Sequence, residues 1–532
     1  MCGIFVLIGH NNNPYVEFMK GSKRGPESSK MICINGIYFG FHRLAINGID
    51  EVSNQPMQHN NCVLVCNGEI FNYKELITQF NLDVKTNSDC EVIILLYDKL
   101  GKDFIHHLDG EFAFVLYDGN DNTFIVGRDP YGIRPLYMSN NNSKYCFCSD
   151  IEPMKNLDFN NITNFAPGTI GYIDKRFQLD YYKYYNVLNN TINKIHMVQP
   201  DYNTEFYNIL CKAVHKRVVT CERPVACLLS GGLDSSLVAA LSARICREKG
   251  ITLETYSIGL KNSEDIKFAS KVAKHIQSKH TEIICTEDDF YNSIPNVIKD
   301  LETYDTTTVR ASVGNWNVGK YIKEHSEAKV ILNGDGADEL MGGYMYFHAC
   351  PSSSEFDEEC KRLLKNIHYF DVLRSDKSIS SHGLEPRTPY LDKDLVEYYL
   401  NIPIEIRNHT TLKKQEKYFI RNVINQKDPD LLPKEVLFRK KEAFSDGVSG
   451  LEKSWYEIIQ DRVKFEPIVN TLEEKPYIFN PPITKEQKYY RAIFESYYPA
   501  CSHLIPYFWM PKFVNATDAS ARTLSFYSMN VV

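Results

Sequence analysis

No apolar run in this chain approaches the ~20 residues that span a bilayer, so a transmembrane helix is not expected. A basic excess is also missing: 67 acidic against 60 basic side chains leave a formal net charge of −7. Nucleic-acid binders usually show the opposite balance, which argues against that class. The fifteen cysteines are scattered, odd in number and contain no CxxC pair. They read as reduced, mostly buried thiols of a cytoplasmic protein. The opening MCGIFVLIGH has neither a basic n-region nor a small-residue cleavage site, so no signal peptide is expected. There is no long repeat and no heptad pattern. What is present is ordinary globular composition, 43% apolar and 24% charged over 532 residues, enough for two or three domains.

The chain has two rhythms. Its first part is a series of short strand-like runs, including IFVLIG (4–9), YFGFHRLAI (38–46), VLVCNGEI (63–70), EFAFVLYD (111–118), NTFIVGRD (122–129) and TIGYID (169–174). Gly, Asn, Asp and Pro separate them, as hairpin-rich antiparallel sheets require. Helical stretches near 73–80 and 89–100 interrupt them, so sheet layers covered by helices are expected. The polar, Asn-rich stretch 186–202 reads as a linker. Beyond it, VACLLS (225–230), LETYSIG (253–259), TEIICT (281–286) and KVILNG (329–334) alternate with helical patterns of 12–15 residues. That alternation implies parallel βαβ units. From about 355 onward the chain reads mainly as helix and loop. The expected domains are 2–185 and 203–532.

Cys2 is the first residue with chemistry. If Met1 is removed, a free α-amine of pKa about 7.7–8.0 lies beside the thiol and can serve as its base. Asn67 and Gly68 end a strand, where an amide and a backbone N–H can make a two-donor oxyanion hole. The glycine would let the backbone come close to the ligand. Arg43 can clamp a carboxylate bidentately. Asp89 can hold an ammonium group or simply cap the following helix.

These residues sit within MCGIF, KRGP (23–26), FHRLAI, CNGEIFN (66–72), LDGEFAF (108–114) and GRDPYGIRPLY (127–137). In that order they resemble an N-terminal-nucleophile glutamine amidotransferase domain, an α+β four-layer αββα sandwich. The resemblance implies that Cys2 attacks the glutamine amide to give a γ-glutamyl thioester. Asn67 and Gly68 would hold the oxyanion, while Arg43, Asn67, Glu69 and Asp89 would place the glutamine. Lys23 stands where many relatives carry His.

The sharpest motif is Ser230-Gly231-Gly232-Leu233-Asp234-Ser235-Ser236. It follows a buried strand and opens a helix, so its N–H groups and hydroxyls suit an anion. It lacks the GK[ST] ending of a Walker A loop. Asp234 can ligate Mg²⁺ through oxygen. A second loop, Asn333-Gly334-Asp335-Gly336-Ala337-Asp338-Glu339, follows KVILNG. It reads as a metal or phosphate neighbourhood or as a solvated acidic turn. In open α/β sheets ligands bind beyond the carboxyl ends of the strands, which suits both loops. Lys441 in FRKKEAFSDG either stabilises transferring phosphates or belongs to a surface charge cluster.

SGGLDSS resembles the pyrophosphate loop of ATP pyrophosphatases. With LETYDTTTVRASVG, the GDGADE loop, GGYMYFH, HGLEPRTPYLD (382–392), KKEAFSDG and the tail WMPKFVNATDASARTL (509–524), the chain resembles the glutamine-hydrolysing asparagine synthetases over nearly its whole length. This implies an α/β parallel-sheet ATP-pyrophosphatase domain with a helical extension, acting on glutamine, aspartate and ATP with Mg²⁺. It further implies Asp234 and Asp338 as metal ligands and Ser230 through Ser236 as the pyrophosphate loop. Leu229, Ile258, Gly259 and Gly334 would contact AMP, Lys441 would assist adenylation, and a homodimer is suggested. Asp335 stands where many relatives have Glu, assigned to helping ammonia attack. Asn333, Pro386, Thr388 and Tyr390 also depart from the usual pattern. Rival readings are a synthetase for another carboxylate, a glutaminase with an inactive second domain, and a non-enzymatic regulatory or storage protein.

Overall fold

The computed structural model describes the chain except residues 11, 142, 158, 160, 188–200, 443, 451, 468–476 and 525–532. Two compact units emerge. The first comprises Met1–Asn186, Thr220–Pro224 and Ile379–Glu385. Its strands are β1 (Gly3–Ile8), β2 (Ser28–Ile34), β3 (Ile37–Arg43), β4 (Met57–His59), β5 (Cys62–Ile70) and β6 (Gly110–Asp118). They continue with β7 (Thr123–Arg128), β8 (Tyr137–Asn141), β9 (Lys144–Cys148), β10 (Ile162–Asn164), β11 (Thr169–Ile173) and β12 (Leu179–Lys183). They form two sheets of order β10-β8-β9-β1-β3-β2 and β12-β11-β7-β6-β5-β4. Neighbours such as β1 and β3, or β5 and β6, run antiparallel.

Strand alternation builds the layers. Val63 and Val65 of β5 pack with Ile4, Val6, Phe39 and Phe41 in a core between the sheets. Leu64 and Cys66 face the other way, onto the helices Tyr73–Phe80 and Glu91–Leu100 through Leu76, Val92 and Leu96. The outer face of the first sheet carries the five-residue helix Tyr15–Met19, whose Phe18 stacks on His42 with ring centroids 4.0 Å apart. The four-layer αββα expectation holds.

The second unit comprises Val187–Val219, Val225–Ser378 and Pro386–Val532. Its sheet has the order β15-β14-β13-β16-β17, from β13 (Val225–Leu228), β14 (Glu254–Leu260), β15 (Lys279–Cys285), β16 (Val330–Leu332) and β17 (Glu385–Arg387). β13 runs parallel to both β14 and β16, and β14 to β15. The chain starts at β13, winds outward to β15 and returns to β16 on the other side. The point where the winding reverses therefore lies between β13 and β16, where open α/β sheets bind ligands. Helices Leu233–Glu248, Glu264–Ile276, Glu287–Leu301 and Thr306–His325 make the crossovers. No helix among the described residues is long and apolar enough to cross a membrane.

The domain boundary is not the single cut expected from sequence. Thr220–Pro224 and Ile379–Glu385, assigned there to the second domain, pack with the first unit. The Glu222 N–H donates to Ile46 O at 3.0 Å, and Glu222 Oε1 accepts from the Gly48 N–H at 3.1 Å. The Met1 amine donates to Leu384 O at 3.0 Å. These are pairings between distant segments, which no local periodicity encodes. Most of the expected linker, 188–200, lies outside the described residues.

Candidate active site

In the first unit β1 delivers Cys2. Its thiol lies 3.4 Å from both the N–H and the C=O of Leu44, just beyond β3. Burial pushes this thiol up to about 11, against the pull of the nearby terminal ammonium. In the intact chain that ammonium belongs to Met1, whose side chain is buried, and burial lowers the amine to about 5. The Cys2 nitrogen is then an amide, so the proposed base exists only after Met1 is removed. The Arg24 guanidinium, in the KRGP segment, donates to Cys2 O at 2.9 Å and pairs with Asp150 at 3.3 Å. Sequence reasoning singled out Lys23, which is exposed, and missed its neighbour.

Asn67 is completely buried, and neither atom of its amide has a hydrogen-bond partner among the described residues. Such a group carries a desolvation penalty of about 1–3 kcal/mol, which an arriving ligand can relieve. Gly68 answers to its neighbour strand: a Cβ there would lie 2.3 Å from Glu111 O and 2.5 Å from Phe112 Cα. The expected reason, approach to a ligand, is thus replaced by packing against β6. Arg43 Nη2 donates to Gly48 O and, at 2.8 Å, to Asp50 O, so it holds a turn. Asn47 donates to Glu69 at 2.5 Å. Asp89 accepts from the Ile70 N–H at 2.6 Å, tying the end of β5 to the start of the helix Glu91–Leu100. That helix has Cys90 at its N-cap, which removes the simple capping reading of Asp89.

In the second unit the two loops leave the adjacent strands β13 and β16 and line one cleft. Leu229, Ser230, Gly232, Asp234, Ser235, Ile258, Gly334, Asp335, Asp338 and Lys441 all face it. Gly231, Ser236 and Gly259 do not. Gly231, at φ +70°, lies where a Cβ would meet Ala269 N at 2.3 Å. Gly259 is pressed against Ser263, and Ser236 is fully buried. The loop is pre-shaped by its own hydroxyls: Ser230 Oγ and Ser235 Oγ are 2.9 Å apart.

Charge in this cleft is paired. Lys417 Nζ lies 2.5 Å from Asp234 Oδ2 and 2.5 Å from Asp338 Oδ1. Lys441 Nζ lies 2.6 Å from Asp338 Oδ2. Burial pushes the Asp338 carboxyl up, but Lys417 and Lys441 outweigh it and hold it well below the ordinary carboxylate range. Arg374 pairs with Asp335 at 2.7 Å and with Asp371 at 2.9 Å. Burial raises the Asp335 carboxyl, against Arg374. Burial, then Asp371 and Asp338, raise the Glu339 carboxyl well above its ordinary value, and Tyr344 Oη donates to it. Neither bland alternative survives: the acidic turn is not solvated, and Lys441 is not in a surface cluster. Lys417, Asp371 and Arg374 were missed, because each comes from a distant segment without a local motif. Asn333 closes its own loop, donating to Ser375 Oγ at 2.5 Å and accepting from the Asp335 N–H at 3.2 Å. Tyr390 is fully buried and its hydroxyl donates to Asp234 O at 3.4 Å.

Known proteins match both halves. A glutamine amidotransferase domain model matches residues 1–196, and an asparagine synthase model matches 205–357 and 349–504. The glutamine-hydrolysing asparagine synthetase of Gallus gallus is 40% identical over 569 aligned positions, covering 99% of each chain. That of Rattus norvegicus is 39% identical over 564, again covering 99% of each. That of Homo sapiens is 38% identical over 570 and covers 100% of each. With both architectures present in order and the match running end to end, the chain belongs to the glutamine-hydrolysing asparagine synthetases.

Proposed function

We propose that this protein makes asparagine from aspartate, ATP and glutamine-derived ammonia. In the first unit, after loss of Met1, the Cys2 α-amine takes the thiol proton and sulfur attacks the glutamine side-chain carbonyl. The oxyanion that forms accepts hydrogen bonds from Asn67 and the Gly68 N–H. Collapse expels ammonia and leaves a γ-glutamyl thioester, which water hydrolyses to glutamate. Arg43, Glu69 and Asp89 orient the amino-acid end. In the second unit the aspartate β-carboxylate attacks the α-phosphorus of ATP and pyrophosphate leaves, giving β-aspartyl-AMP. Ser230 through Ser236 hold the pyrophosphate, Leu229, Ile258, Gly259 and Gly334 the nucleotide. Lys441 offsets the developing negative charge, and Asp335 assists ammonia. Attack of ammonia on the adenylate then releases asparagine and AMP.

The observation that carries this reading is the cleft at the carboxyl ends of β13 and β16, where both signature loops and both lysines converge. Mg²⁺ suits its donor set. Asp234 Oδ1 is buried without a hydrogen-bond partner among the described residues, and Mg²⁺ commonly takes one or two carboxylates with substrate phosphates. Asp234 and Asp338 would hold the ion, which would neutralise phosphate charge. The fifteen scattered cysteines, odd in number and without a CxxC pair, suit a reducing, cytoplasmic location, and a homodimer is the assembly that family likeness suggests. The test incubates purified protein with glutamine, aspartate and Mg-ATP. Asparagine, AMP and pyrophosphate in equal amounts are expected; glutamate without asparagine or AMP would sink the synthetase reading.

A further inference from the structure

Arg439 stands two residues before Lys441 and lines the same cleft. Its side chain is buried, and so is that of Asp265, which faces it. Arg439 Nη2 donates to Asp265 Oδ1 at 2.8 Å, and Nη1 reaches the Ser230 carbonyl at 3.4 Å. The guanidinium carbon lies 4.2 Å from the centre of the Phe268 ring. Asp265, Phe268 and Ala269 share one face of the helix Glu264–Ile276, being spaced i, i+3 and i+4. The same face supports the anion loop, because the Gly231 backbone rests on it. A Cβ at Gly231 would meet Ala269 N at 2.3 Å and the Phe268 carbonyl carbon at 2.5 Å. The segment after Lys441 closes on this helix too. A Cβ on Gly447 would lie 2.4 Å from the Asp265 carboxyl carbon. Ser263 Oγ donates to Gly447 O at 2.8 Å, and the Leu260 N–H to Val448 O at 2.7 Å.

We propose that Arg439 is a further binding residue of this cleft, its guanidinium holding the pyrophosphate half of ATP at the Ser230 end of the loop; this rests on the synthetase reading above. Pyrophosphate carries several negative charges, and the loop offers it neutral N–H and hydroxyl donors. Lys417 and Lys441 stand at Asp234 and Asp338, whereas Arg439 stands at Ser230. A guanidinium presents five N–H donors in a rigid fork that matches phosphate oxygens. Among the described residues, Asp265 and Ser230 are the acceptors of its hydrogen bonds. The bond to Asp265 fixes the plane of the fork, and the Phe268 ring covers one of its faces. The contact with Ser230 O is long for an N–H···O bond, so exchanging it for a phosphate oxygen costs little. For stability alone, two neutral residues of similar volume would serve as well as a buried ion pair. A braced cation on the wall of the cleft gains its use when an anion arrives.

The test is calorimetric titration of the full-length protein with sodium pyrophosphate and, separately, with AMP. R439M alone strands the Asp265 carboxylate and can unfold the domain. The decisive variant is therefore R439M/D265N, which removes both charges and keeps the volume. It should bind pyrophosphate at least about tenfold more weakly than the parental protein, the loss expected when a charged hydrogen bond is removed. Its affinity for AMP should change by less than about twofold, because the nucleoside half does not meet Arg439. A purely structural ion pair predicts otherwise, since its neutral replacement would leave pyrophosphate binding at the parental level. That result overturns the proposal, and so does an equal loss for AMP, which would make Arg439 a support of the whole cleft. A parental protein that does not bind pyrophosphate overturns it as well. Asparagine formation from aspartate, ATP and ammonia is measured in parallel. If the parental protein binds pyrophosphate but makes no asparagine, the synthetase reading fails by itself, and the same titrations still decide whether Arg439 holds the anion.

Discussion

Asn67 and Lys417 are both buried polar side chains at the centre of a site, yet they are kept in opposite states. Neither amide atom of Asn67 has a partner among the described residues, whereas Lys417 is shared between two carboxylates at 2.5 Å each. On the proposed assignment of the two sites, the difference follows from what each receives. Glutamine brings a neutral amide on which negative charge develops only during reaction, so a donor held in waiting is useful. ATP arrives already highly charged, so cations must be stored beforehand. On the proposed assignment, carboxylates such as Asp234 and Asp338 would keep those cations in the interior until phosphates arrive, since an unpaired buried charge is strongly destabilising.

The comparison breaks most visibly at Cys2. In C2A, glutamate release and glutamine-dependent asparagine formation fall to background while ammonia-dependent synthesis persists; loss of both in a folded variant would contradict two separable sites. Next in size is K417M, which leaves Asp234 and Asp338 without their shared ammonium. Removing one partner of a buried pair typically costs about 3–5 kcal/mol, measured here by urea unfolding. All three tryptophans, Trp316, Trp455 and Trp509, lie in the second unit, so their fluorescence follows that unit alone. The same variant has a pH signature. Asp338 is held below its ordinary value by Lys417 and Lys441. Its contribution is therefore complete above the ordinary Asp range, about pH 4, and is lost as pH falls through the depressed value. In K417M the acid-unfolding limb moves to higher pH; an unmoved limb would mean that Lys417 is not what holds Asp338 down.

Asn67 gives a somewhat smaller effect. N67A lowers the glutaminase kcat by about 10²–10³ and leaves KM nearly unchanged, the signature of a lost oxyanion donor. An equal rise in KM with unchanged kcat would make Asn67 a ground-state contact instead. The smallest effect sharpens the role of burial. Lys271 and Glu435 pair at 2.7 Å, as closely as the cleft ions, but both are about half exposed. E435Q should change stability by less than about 1 kcal/mol and leave both activities intact, as read from the same urea curves and assays.

What the sequence disclosed was local. Ser230 through Ser236 and Asn333 through Glu339 each form within one strand–turn–helix, so residue spacing alone specifies them. The antiparallel rhythm of the first unit was equally legible. Lys417 was not, because TLKKQEKYF resembles any solvated charge run and only the fold carries it to Asp234. Arg374 and Asp371 share that character. β2 and β12 escaped because they are edge strands whose exposed residues blur the alternation. β17 escaped because it is three residues long and contains Pro386. Gly231 and Gly259 were identified as ligand contacts, but their bareness serves the packing of neighbouring backbone and Ser263.

The hydrogen bond between the Met1 amine and Leu384 O joins residues 383 apart in the chain. Residue 384 does not exist until most of the polypeptide has been synthesised. At about 5–20 residues per second, the amino terminus of the nascent chain waits roughly 20–80 s before that partner emerges. Trimming of Met1, on which a free Cys2 amine depends, thus has a deadline set by translation. A chain that misses it encloses its first residue: folded protein retaining Met1 should resist added methionine aminopeptidase, whereas the urea-unfolded chain, diluted into the peptidase, should be trimmed.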